Sequence, residues 1–163
     1  MDIKKIAIAT LAVLTVSGAG YAAADQHNTT RAEKVLTIDA AVKAAQATLD
    51  AAEKENQRVT VAVVDRSGDL VVLLAGDGAG PQTEESAKRK AFTAVSFNAA
   101  TSELAGRVTG QGATLRDIPG TLFLGGGVPV TVDGTSIAGI GVGGAPSGDL
   151  DEKFARAGLA TLR

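Results

Sequence analysis

The chain has 163 residues but only one His, one Met, one Tyr and no Cys. Met1, Tyr21 and His27 all fall before residue 28. Thiol nucleophiles, disulfides and zinc–thiolate sites are therefore excluded together. A Ser–His–Asp site needs an imidazole to take the proton, and His27 sits in an aperiodic polar stretch, so no triad is expected. Ser86-Ala87-Lys88-Arg89 misses the S-x-x-K spacing of Ser–Lys chemistry. The carboxylate pairs Glu84/Glu85 and Asp151/Glu152 fall where helices begin, and a capping role there accounts for them. Gly139 to Gly144 spells G-x-G-x-x-G, but it lies inside a predicted strand and too near the chain end for a dinucleotide site. What it does give is alternation: Gly139, Gly141 and Gly143 leave one strand face bare, open to a ligand or to a packed helix. Gly125-Gly126-Gly127 offers backbone N–H groups to an anion or a bend before the next strand. Lys88-Arg89-Lys90 reads as a solvated helix face or as a contact for an acidic group.

The elements that must position these residues follow from pattern. Net charge is −2 with 45% apolar residues, which supports a core and excludes nucleic-acid binding through a broad basic surface. Residues 1–24 read as a signal peptide: a basic start, an apolar run from Ile6 to Val16, then small residues up to Ala22-Ala23-Ala24. That run is shorter than the ~20 residues a membrane span needs, so the mature form has no span. Cleavage after Ala24 makes Asp25 the first residue, though cuts after Ala22 or Ala23 fit the same pattern. The expected location is periplasmic or secreted. Residues 25–35 read as a flexible leader. With Asp25 at the terminus, its amine, two backbone amides and the His27 imidazole form a nitrogen set suited to Cu(II) or Ni(II).

Residues 36–163 read as one domain. Apolar residues at three- and four-residue steps predict a helix capped by Thr37 and ending near Asn56. Val59–Asp65 and Leu70–Ala75 predict a hairpin whose apolar runs suggest a sheet covered on both faces. Thr83 is expected to cap a second helix, with a short one at Thr101–Gly106. Val128–Val132 and Thr135–Val142, joined by Asp133-Gly134, predict a second hairpin. Ser147 caps the last helix. Two hairpins and three main helices imply α+β: a three-layer α/β/α sandwich of profilin-like kind, with a central antiparallel sheet.

LTIDAAVKAAQATLDAAE, VTVAVVDRSGDLVVLLAGDGA, ESAKRKAFTA and GGGVPVTVDGTSIAGIGVGGAPSGDLDEKFARAGL, in that order, resemble the GlcG/HbpS family. These are haem-binding or haem-degrading-type domains, also found at the C-terminus of PduO-like proteins. The resemblance implies a small α/β/α domain, a homo-oligomer, and a small-molecule ligand such as haem. It also implies that Thr93 and the Asp151-Glu152 pair line a pocket. Gly143-Gly144 departs from the Ser-Gly expected there. The expected ligand set is Arg89 or Lys90 to a carboxylate, Phe92 or Phe97 to a ring, backbone at Gly126, Gly127, Gly141 and Gly143, and Thr93 and Asp151 beside them. Haem iron usually takes His, Cys, Met or Tyr. Here it would have His27, Lys, or an oxygen donor such as Thr93, or else binding would rest on apolar contact and the propionates. Weak, exchangeable or non-axial binding is expected. Two rivals stay open: an enzyme on a small organic acid with Asp or Glu as base, and an oligomeric interaction or sensor-partner module.

Overall fold

The computed structural model describes residues 31–109 and 114–163. The expected signal segment, most of the leader and His27 lie outside the described residues. From Glu33 onward the chain is one compact unit.

Helix α1 (Ile38–Glu53) starts where predicted, with Thr37 Oγ1 accepting from the Ala40 N–H at 3.3 Å. Strands β1 (Thr60–Asp65) and β2 (Leu70–Ala75) form the first hairpin. Helix α2 (Gln82–Phe97) begins after Pro81, so Thr83 is not its cap. Instead the Thr83 hydroxyl donates to the Gly80 carbonyl and pairs with Thr60 across to the sheet. Asn98, at φ +51°, closes the helix in the left-handed conformation that suits a C-terminal stop. A short helix α3 (Thr101–Ala105) follows. Strands β3 (Gly127–Val132) and β4 (Thr135–Gly143) are joined by Asp133-Gly134, both at positive φ as a two-residue hairpin requires. Helix α4 (Gly148–Ala160) ends the fold, capped by Ser147 Oγ on the Leu150 N–H.

The sheet order is β2-β1-β4-β3, antiparallel throughout. Helices α1 and α4 cover one face and α2 the other, giving the expected α+β three-layer sandwich. The sheet is covered on both faces as expected, most thinly at the edge strand β2, where Val72 joins the α1/α4 core, Leu73 packs toward α2 and Leu70 at the strand start is 48% exposed.

The two faces of the sheet are built differently. Toward α1 and α4, Val61, Val63, Ile140 and Val142 pack with Leu49, Phe154 and Ala155 in the main apolar core. Toward α2 the residues are small. Thr60, Ala62 and Val64 of β1 stand beside Gly143, Gly141 and Gly139 of β4. This lets the α2 backbone approach the strand. A Cβ on Gly141 would lie 2.0 Å from the Ala87 carbonyl oxygen, and one on Gly139 would lie 2.3 Å from that of Ala91. The bare strand face therefore seats a helix.

Overpacking against backbone, which cannot rotate away, is costly. Gly141→Ala is expected to destabilise the fold by about 3 kcal/mol or more in urea unfolding. Gly106→Ala, where an added Cβ meets nothing within 4 Å, is expected to change stability by less than about 0.5 kcal/mol. Equal effects at the two positions would contradict the packing described.

Candidate functional site

Lys90 and Asp151 face each other inside the protein. Lys90 reaches from α2 toward the end of β4, where Nζ donates to the Val142 carbonyl at 2.9 Å and to Asp151 Oδ2 at 2.7 Å. Asp151 comes from the first turn of α4, and its Oδ1 accepts the Ala145 N–H at 2.9 Å. Their side chains are 4% and 5% exposed. Burial pushes the Asp151 carboxyl above the usual aspartate range, against the downward pull of Lys90 and the Ala145 N–H. Gly126, at φ +122°, lies directly over the pair: a Cβ there would sit 2.7 Å from Asp151 Cβ and 2.9 Å from Lys90 Nζ. The pair thus joins α2, β4, α4 and the bend before β3.

Above it opens a polar cleft of about 490 Å³ lined by Gln82, Ser86, Gly125, Gly144, Pro146 and Asp149, among others. Lys90 and Asp151 also line it, but they neutralise one another. The cleft offers backbone, hydroxyl and amide groups and the Asp149 carboxylate rather than a net cation.

A second hollow, about 240 Å³, lies between α2, the β1–β2 turn and Gly120. Its walls are Val64, Leu70 and Phe92, and its rim carries Glu85, Lys88 and Arg89. Gly68 and Gly120, both at positive φ, lie beside the Phe92 ring. Arg89 is fixed from behind, with Nη2 donating to the Thr121 carbonyl at 2.7 Å. Its Nε is out of water and has no hydrogen-bond partner. Such an orphan donor costs about 1–3 kcal/mol, and being closed to water it is not offered to the groove. Lys88 is engaged by Glu84 at 3.0 Å and Glu85 at 3.7 Å.

The expected site residues separate into three groups. Lys90, Asp151 and Gly126 come together as a closed ion pair and its cover, so Lys90 is not on a solvated face and Asp151 does more than cap α4. Gly127, Gly141 and Gly143 are packing positions: added Cβ atoms would strike the Lys90 carbonyl, the Ala87 carbonyl and Ser86. Thr93 is buried, donating to the Arg89 carbonyl and accepting the Leu122 N–H, so it ties the 120–124 segment to α2. Phe97 packs against Phe123, with ring centroids 5.6 Å apart, beside Leu104 and Val108. The groove takes Phe92 instead. Arg89 does line a groove. His27 lies outside the described residues, and among those described no group of three His, Cys, Asp or Glu side chains is placed to hold a metal. One signal for Lys90 was in the sequence: Thr83, Ala87, Lys90 and Ala94 share one helix stripe at steps of four, three and four.

Comparison with known proteins agrees with this fold. The family model described as haem degrading protein HbpS-like matches residues 36–160. A solved structure of HbpS is 61% identical, with a TM-score of 0.81, covering 86% of this chain and 99% of that one. A PduOC:heme complex is 27% identical, with a TM-score of 0.72, covering 78% of this chain and 95% of that one. An uncharacterized 15.0 kDa protein of Citrobacter freundii, from the dhaT–dhaS intergenic region, is 32% identical over 114 residues, 67% of this chain and 80% of that protein.

Removing one partner of a buried pair leaves an uncompensated charge. Lys90→Met is therefore expected to cost about 3–5 kcal/mol near neutral pH. Loss of the cation raises the Asp151 pKa further. Stability linked to a raised pKa is fully present below the unfolded value and is lost as pH rises through the folded one. The penalty should thus be smaller at about pH 4 than at about pH 7. The double variant Lys90→Met/Asp151→Leu should recover most of it. Urea unfolding at both pH values decides: a pH-independent penalty contradicts the buried-charge reading.

Proposed function

This chain belongs to the HbpS-like family, and from that premise we propose that it is an exported, homo-oligomeric protein that binds haem or a related tetrapyrrole weakly and exchangeably. The observation that carries the reading is the groove beside Phe92. It pairs an apolar wall with a guanidinium, which suits a flat macrocycle bearing carboxylates. At about 240 Å³ the groove is smaller than a usual small-molecule pocket and would hold one edge of such a ring.

Iron is poorly served by this domain. From residue 28 onward the sequence has no His, Cys, Met or Tyr, so none of the usual axial donors is in the fold. Affinity then rests on burial of the ring edge against Val64, Leu70 and Phe92 and on the carboxylate contact. A ligand held this way exchanges readily, as a carrier requires. The rival reading, an enzyme with Asp151 as base, meets an obstacle in the site itself. Both Asp151 oxygens are engaged, one by Lys90 and one by the Ala145 N–H.

Titration of the purified chain with haemin, followed by its visible band, tests the proposal. Saturable binding is expected, about tenfold weaker in Phe92→Ala from the lost aromatic contact, and unchanged in His27→Ala. A tight low-spin spectrum that survives His27→Ala, or no binding at all, contradicts it. For export, N-terminal sequencing of the protein recovered from outside the cytoplasm is expected to read Asp25-Gln26-His27. Retention of residues 1–24 contradicts export and also removes the copper or nickel chelate, which exists only with Asp25 at the terminus.

A further inference from the structure

Resting on the tetrapyrrole reading above, we propose that the Phe92 groove selects its ligand by carboxylate and not by metal, with Arg89 as the specificity-determining residue. The ligand class is tetrapyrrole carboxylates with or without iron.

Three observations converge. First, Arg89 is the cation left free to act. Lys88 is held by Glu84 and Glu85, and Lys90 is buried against Asp151 on the far side of α2. No carboxylate among the described residues pairs with Arg89. Second, its guanidinium is preorganised. The Thr121 carbonyl fixes Nη2 while the side chain lines the groove. A planar fork of donors so held matches the two oxygens of a carboxylate, where a lysine would present only a point charge. Third, the groove lacks soft or imidazole donors: its lining is Val64, Gly68, Leu70, Glu85, Lys88, Arg89, Phe92 and Gly120. Glu85 and Lys88 could reach a metal only by leaving each other. Removing iron from the ligand therefore removes little, whereas removing its negative charge removes the contact the groove is built to make.

The test titrates the full chain with haemin, metal-free protoporphyrin IX and the protoporphyrin dimethyl ester. Haemin and the free porphyrin are expected to bind within about threefold of one another. The ester should bind roughly 10- to 100-fold more weakly, the range a hydrogen bond to a charged group is worth. Arg89→Gln should lower affinity for both acids and abolish the distinction between acid and ester. Arg89→Lys should restore part of it. The acid-to-ester ratio is a readout that a merely structural role for Arg89 would not move, and in the unmodified chain it needs no variant to fold. Haemin preferred by tenfold or more over the metal-free ring, or an ester bound as well as the acid, overturns the inference while leaving tetrapyrrole binding standing. Failure of all three to bind overturns both.

Discussion

Helix α2 sits so close to the sheet that the carbonyl oxygens of Ala87 and Ala91 occupy the places where side chains of residues 141 and 139 would be. That approach requires glycine at both positions and small residues beside them on β1. It also decides where the ends of α2's side chains fall. Lys90, on the inward stripe, emerges at the end of β4, where the last carbonyls of the strand and the first turn of α4 meet. Arg89 and Phe92, turned toward the β1–β2 hairpin, reach the groove instead. One helix thus carries the closed ion pair on one side and the open groove on the other.

The ion pair and the groove have opposite physical characters. Lys90 and Asp151 satisfy each other and two backbone groups, so the charge is internal and the contact fixes how three elements and a bend meet. A buried pair of this kind is a weak source of net stability but a strong constraint on geometry. At the groove, apolar surface remains open and a guanidinium lines it with no carboxylate partner among the described residues. Binding is expected where the structure leaves such deficits, not where it has closed them.

The sequence reveals the architecture well because its evidence is local. Thr37 and Ser147 cap as their types suggest, Asp133-Gly134 turns the second hairpin, and the alternating glycines mark a bare strand face. What occupies that face is a long-range fact: glycine spacing is the same whether a helix or a ligand lies against it. Three consecutive cations read equally as a surface run or as contacts for an acidic group; the place of Lys90 on the Thr83–Ala94 stripe points it inward, where its acidic partner proves to be Asp151. Phe92 and Phe97 are equally apolar on paper. Only the fold puts Gly68 and Gly120 beside the first and Phe123 beside the second. Asp151 at a helix start is a capping residue by pattern, and its true partner is 61 positions away.

The central claim is that this domain binds through an apolar groove and the Arg89 guanidinium, without a His, Cys, Met or Tyr to ligate iron. A crystal structure of the full chain with a bound metal-free porphyrin addresses it most directly. The ring edge should lie against Phe92 and Leu70, with a propionate oxygen within hydrogen-bonding distance of Arg89. A porphyrin found in the polar cleft above Lys90 and Asp151, with the Phe92 groove empty, would contradict it.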